Sequence, residues 1–250
     1  MDFTLNEEQT AFKAVLRDFV EKEIKPVANE WERSGRYPTE IVAGLADMGL
    51  FGMTIPEEYG GLDIDMVSFA LVFEELARGW MGVAGILGSH SLSCWMIAKH
   101  GTEEQKKQFL PSILRGEQVW CQLFSEPNAG SDLAALRTKA ELDGDEWVVT
   151  GQKVWTSSAH VADWGMLLAR TDWDAPKHRG ITYFLVDMRS PGIDVRPLVQ
   201  ATGGAEFNEV FLEEVRIPKE NVLGEVNGGW AVAMTTLTSE RVAVALADFP

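Results

Sequence analysis

Apolar positions recur at helical spacing in the first part of the chain and predict a run of α-helices up to about Gly116. Asn6 with Gln9 three residues on is a capping-box signature, and Phe12, Leu16, Phe19 and Ile24 follow it with charged residues between them. A second helix is predicted after Pro38-Thr39, through Ile41, Leu45 and Met48, stopping at Gly49. Ile55-Pro56-Glu57-Glu58-Tyr59-Gly60-Gly61 reads as loop by its Pro and Gly content. Phe69, Val72, Phe73 and Leu76 mark a third helix ending at Gly79, and Ser91 to His100 a fourth. Thr102 with Gln105 repeats the capping box and opens a helix that meets Pro111 and Gly116.

From Gln118 the period becomes two. Asp143-Gly144 separates Thr138–Leu142 from Glu146–Thr150 as a hairpin turn would. Further strands are predicted at Lys153–Thr156, Trp164–Arg170, Ile181–Asp187, Ile193–Pro197 and Glu209–Leu212. Many short strands bounded by Gly, Pro and Asp point to an antiparallel β-barrel or sandwich. Helical patterning returns near Gly229. The predicted class is α+β: an α-helical domain over 1–117, a β domain over 118–226, and the opening of another helical region over 227–250.

Composition narrows the function. The 250 residues allow one or two cores, and 46% apolar with 24% charged residues is ordinary for a soluble protein. A net charge of −16 leaves no basic stripe for phosphate backbones, so no nucleic-acid partner is predicted. Cys94 and Cys121 lie in apolar surroundings without a CxxC, and the four histidines show no ligand spacing, so neither a disulfide nor a metal site is predicted. The polar, acidic start MDFTLNEEQT predicts no signal peptide, and no apolar run reads as a membrane span; a cytoplasmic location is expected.

Two stretches carry candidate chemistry. In Gln122-Leu123-Phe124-Ser125-Glu126-Pro127-Asn128-Ala129-Gly130-Ser131-Asp132 a strand runs into a turn of small residues. Free N–H groups in such a turn suit an anion such as a pyrophosphate, although a plain surface turn has the same composition. In Gly151-Gln152-Lys153-Val154-Trp155-Thr156-Ser157-Ser158 an indole adjoins hydroxyls at a strand end. A flavin, planar yet edged with polar atoms, could use both, whereas a core tryptophan needs neither.

Together and in this order the two stretches resemble those of the acyl-CoA dehydrogenase family. The likeness extends to Leu5-Asn6-Glu7-Glu8-Gln9, to Ile55–Gly61, to Phe73-Glu74-Glu75-Leu76-Ala77 and to Val215-Arg216-Ile217-Pro218-Lys219-Glu220-Asn221-Val222-Leu223-Gly224. It implies an FAD-dependent enzyme that desaturates an acyl-CoA thioester, passes electrons to an electron-transferring flavoprotein and assembles as a homo- or hetero-oligomer. By that resemblance Gln122, Leu123, Phe124, Ser125, Gly130 and Ser131 contact FAD. Trp155 lies against its ring, and Thr156 and Ser157 hydrogen-bond near N5. The family often has Thr where Ser125 and Ser157 stand, and both alternatives keep the hydroxyl. Ser131, Thr238 and Arg241 match acyl-CoA contacts. Glu240, in Thr238-Ser239-Glu240-Arg241, matches the catalytic base of a minority branch, while many members use a Glu later in a carboxy-terminal four-helix domain. This sequence carries only the first helix of that domain. Glu240 and Arg241 also suit a solvated helix face. Thr202-Gly203-Gly204-Ala205-Glu206-Phe207-Asn208-Glu209-Val210 resembles the loop of bacterial members acting on bulky thioesters. Two other readings remain: a non-catalytic subunit of a hetero-oligomer, and a related flavin oxidase or monooxygenase.

Overall fold

In the computed structural model, which describes residues 4–247, Asn6 caps the first helix as predicted. Its carboxamide oxygen accepts from Gln9 N–H at 2.7 Å, and the Gln9 side chain accepts from Asn6 N–H at 3.2 Å. Helix α1 (Glu7–Phe19) passes through a π-helical turn, Val20–Ile24, into α2 (Lys25–Ser34). Leu16, Val20 and Ile24 are buried on one stripe, so the apolar repeat survives the change of helix type. The helix α3 (Thr39–Asp47) buries Ile41, Val42 and Leu45. These residues join Leu50, Phe51, Phe69, Val72, Phe73 and Leu76 in one core.

The third and fourth predicted helices are parts of a longer element, α4 (Met66–His100), interrupted at Trp80, where φ −161° and ψ 108° are extended. The stop at Gly79 is therefore real, but the next helix resumes at once instead of at Ser91. By length and composition α4 could cross a membrane, contrary to the expectation that no apolar run is long enough, yet half of its apolar window is buried within the protein. Burial of this kind is what the core helix of a globular protein shows.

Glu75, on α4, is enclosed at 0% side-chain exposure between Arg17 and Arg78. Arg17 Nη2 approaches Glu75 Oε1 at 2.6 Å, and Arg78 Nε approaches Oε2 at 2.9 Å. Burial pushes this carboxyl upward, but the two guanidiniums outweigh it and hold the net value below the ordinary one. A depressed carboxyl contributes stability above its unfolded pKa and loses it as pH falls through its folded value. Glu75→Gln is expected to lower unfolding stability by about 2–3 kcal/mol at neutral pH, discounted for the solvent around both arginines. Urea titrations at neutral and acidic pH check this, since the gap should close toward acid.

The chain divides into two compact units. The first holds the residues up to Trp95, Leu110–Glu117 and the chain from Thr238; the second holds Met96–Phe109 and Gln118–Leu237. The second unit is built on seven strands: β1 (Trp120–Leu123), β2 (Lys139–Asp143), β3 (Glu146–Ser157), β4 (Trp164–Arg170), β5 (Ile181–Asp187), β6 (Ile193–Leu198) and β7 (Phe207–Pro218). Their order is β1-β4-β2-β3-β7-β6, with β5 on β4. The β2–β3 hairpin turns at Asp143-Gly144, where Gly144 has φ 64°. Four pairings are antiparallel, but β1 and β2 each pair with β4 in parallel. The result is a curled mixed sheet. The β2–β3 hairpin occupies the connection from β1 to β4, so the chain returns in the same direction.

The second capping box also forms, at the start of α5 (Glu103–Leu114). Gln105 then donates to the carbonyls of Glu220 and Val222 at 2.6 and 2.9 Å. One side chain thus caps a helix and anchors the loop after β7. The last helix, α6 (Gly229–Ala247), begins against the backbone of Thr182 and Tyr183, where a Cβ on Gly229 would lie 2.5 Å from Tyr183 N.

Candidate functional site

Beyond β1 the chain continues through Phe124 and Ser125 into a tight turn closed by two backbone bonds of 3.0 Å between Glu126 and Ala129. Leu123 and Phe124 are buried, with Phe124 edge-on to Tyr183 at 5.7 Å; Gln122 and Ser125 are half-buried. Asn128, Gly130, Ser131 and Asp132 line an exposed rim. A Cβ added to Gly130 would meet nothing within 4 Å, so the backbone there is open to close approach. Val154 N–H donates to Ser125 O at 2.9 Å. The two stretches singled out in the sequence are therefore adjacent.

Strand β3 slips register against β7 between Lys153 and Thr156, and the slip presents Trp155. Its φ is 62°, a left-handed conformation that costs a bulky residue about 1–2 kcal/mol. The residue is 61% exposed, and its ring makes a T-shaped contact with Phe207 at a centroid distance of 6.1 Å. A strained backbone holding a large apolar ring toward solvent does nothing for the core. Ser157 is exposed as well. Thr156, between them, is buried; its carbonyl accepts from Asn208 Nδ2 at 2.9 Å and its hydroxyl has no hydrogen-bond partner. Of the two hydroxyls expected beside a ligand ring, the Ser157 side chain is presented and the Thr156 side chain is turned inward.

Beneath the turn lies a buried ion pair. Lys153, at 0% exposure, donates to Glu126 Oε1 at 2.8 Å and to Phe124 O at 3.1 Å. Glu126 also accepts from Arg137 N–H at 2.6 Å and Thr138 N–H at 2.9 Å. Burial lowers the Lys153 ammonium to about 8 despite the opposing pull of Glu126. For Glu126 burial acts upward, but Lys153 and the two amides outweigh it and leave the carboxyl below its ordinary value. The cysteines are inert by comparison: both are free and buried, and burial pushes the Cys121 thiol up to about 12. Among the described residues no group of His, Cys, Asp and Glu could hold a metal ion.

Thr238, Glu240 and Arg241 are exposed on α6 and belong to the first compact unit, whereas both flavin-like stretches belong to the second. Thr238 and Arg241 are three residues apart and share a helix face. Lys153 and Glu126 stood inside the two stretches but carried no role in the sequence reading. Charged residues are exposed by default, and nothing in the local pattern marked these two as buried.

Comparisons with known proteins match both parts of the chain. Residues 6–117 match the family description "Acyl-CoA dehydrogenase, N-terminal domain" and residues 121–215 "Acyl-CoA dehydrogenase, middle domain". The chain is 51% identical over 210 residues to acyl-CoA dehydrogenase FadE34 of Mycobacterium tuberculosis, covering 80% of this chain and 28% of that protein. The solved glutaryl-coenzyme A dehydrogenase glutaryl-CoA complex superposes with a TM-score of 0.92 at 34% identity, covering 99% of this chain and 64% of that one. A structure described as Tcur3481-Tcur3483 steroid ACAD gives 0.83 at 34% identity, covering 99% of this chain and 65% of that one. The chain thus spans only part of the length of each relative.

Proposed function

The chain belongs to the acyl-CoA dehydrogenase family, and from that premise we propose that it is a flavoprotein that desaturates an acyl-CoA thioester between its α and β carbons. The observation that carries the reading is Trp155, exposed at a left-handed bulge and hydrogen-bonded through its neighbour to an open, Gly-containing turn. A flat apolar face beside free backbone donors fits FAD, whose ring and pyrophosphate need one each. FAD, when bound, supplies a two-electron acceptor for the hydride on the substrate's β carbon.

The chain's own residues do the rest. Backbone groups and side chains from Gln122 to Ser131 would hold the cofactor's polar spine, Trp155 would lie against the ring, and Ser157 would offer a hydroxyl to its edge. Thr156 contributes through backbone and packing, since its side chain is enclosed. Glu240 takes the α proton as its carboxylate becomes a carboxylic acid, and Thr238, Arg241 and Ser131 contact the acyl-CoA. An electron-transferring flavoprotein would serve as the external electron acceptor. Likeness to a relative described as a steroid enzyme, with the loop Thr202–Val210, supports a bulky acyl group. The two components named for that relative favour a second reading, in which this chain is a non-catalytic subunit of a hetero-oligomer.

The test is to load the full-length protein with FAD and add straight-chain, branched and steroid side-chain CoA thioesters without oxygen. Loss of the oxidised-flavin band with one class, and its return on adding electron-transferring flavoprotein, is expected. Flavin that no thioester bleaches would overturn the reading in favour of the subunit; rapid return of colour in air alone would favour an oxidase.

A further inference from the structure

We propose that Lys153 and Glu126 form a positioning pair that fixes the turn after Phe124 against the bulge presenting Trp155, and so sets the gap into which the flavin fits. The proposal rests on the flavin reading and extends it to two residues that touch neither ring nor substrate. Lys153 immediately precedes the register slip, and its neighbour Val154 makes the backbone bond to Ser125 O. The Lys153 ammonium meets the turn at Phe124 O and at the Glu126 carboxylate. Two tethers from consecutive residues fix rotation as well as distance; the backbone bond alone would leave the turn free to pivot about it.

Glu126 extends the clamp. It takes N–H groups from Arg137 and Thr138, where the chain comes back toward β2. One carboxylate therefore joins the turn, the approach to β2 and strand β3. Stability alone does not call for this arrangement, because a buried ion pair is often replaceable by apolar residues of similar volume at no loss. What an apolar pair lacks is direction: three hydrogen bonds to the carboxylate and a fourth to Phe124 O specify where the turn sits. A chain with 38 acidic residues against 22 basic ones nevertheless places a lysine at full burial here.

Lys153→Met and the double variant Lys153→Met/Glu126→Gln test the proposal in the full-length protein. The single variant leaves a buried carboxylate without its cation, so loss of fold is one outcome for it; the double variant removes both charges and keeps the volume. The double variant is expected to fold with an unchanged circular dichroism spectrum, to bind FAD at least tenfold more weakly, and to exchange the Val154 amide hydrogen at least tenfold faster. A merely structural pair predicts recovery of both properties once the stranded charge is gone. FAD affinity within twofold of wild type, with Val154 exchange unchanged, overturns the proposal. If wild-type protein takes up no FAD, the flavin reading fails by itself, and the exchange rate at Val154 in the double variant still decides whether the clamp exists.

Discussion

Glu240→Gln is expected to reduce the rate of flavin reduction by acyl-CoA roughly 10²–10⁴-fold while leaving the bound FAD content at the wild-type level. Gln keeps the shape and hydrogen-bonding reach of Glu but cannot accept a proton, so a loss confined to the chemical step identifies the base. The α C–H of a thioester is a weak acid, and a carboxylate removes its proton efficiently only when water is kept away from it. Glu240 is exposed on α6 among the described residues, so its role as base requires that water be excluded from it when substrate is bound. Single-turnover mixing under anaerobic conditions separates this step from electron transfer to the acceptor. Turnover equal to wild type would place the base on a different carboxylate and leave Glu240 as part of a solvated helix face. Loss of FAD together with activity would mean that the substitution acted on the fold.

Much of this architecture was legible because periodicity and punctuation agreed. Both capping boxes form with reciprocal bonds, and the strands at Trp164–Arg170 and Ile181–Asp187 have the predicted bounds. The first half of the second α4 segment fell between the predicted helices; it carries Gly82, Gly85 and Gly88, whose low helix propensity is overridden by packing around Val83, Ala84 and Leu87. The parallel pairing of β1 with β4 was hidden because pairing direction depends on contacts distant in sequence. At the candidate site, composition indicated an open turn near Gly130 and an indole beside hydroxyls. It could not show that Thr156 faces inward while its neighbours face out, because that follows from a register slip set by β7. Nor could it show the burial of Lys153 and Glu126, whose partners lie in separate segments of the chain.

Trp155→Gly is expected to leave the stability of the protein within about 1 kcal/mol of wild type and to weaken FAD binding by roughly 10–100-fold. Glycine adopts φ 62° without the left-handed penalty, a gain of about 1–2 kcal/mol. Against it stand the edge contact with Phe207, about 0.5–1.5 kcal/mol, and the greater freedom of an unfolded glycine, about 0.5–1 kcal/mol. Little burial is lost, because Trp155 is already 61% exposed. These opposing effects nearly cancel for the protein alone. They do not cancel for the complex, where removing the ring deletes an apolar face worth about 1.5–3 kcal/mol, and each 1.4 kcal/mol is about tenfold in affinity. Thermal melts of the flavin-free protein and a fluorescence titration with FAD read the two quantities separately. A variant that is several kcal/mol less stable and binds FAD normally would make Trp155 a packing residue, and the strain at its backbone would then serve the fold instead of the ligand.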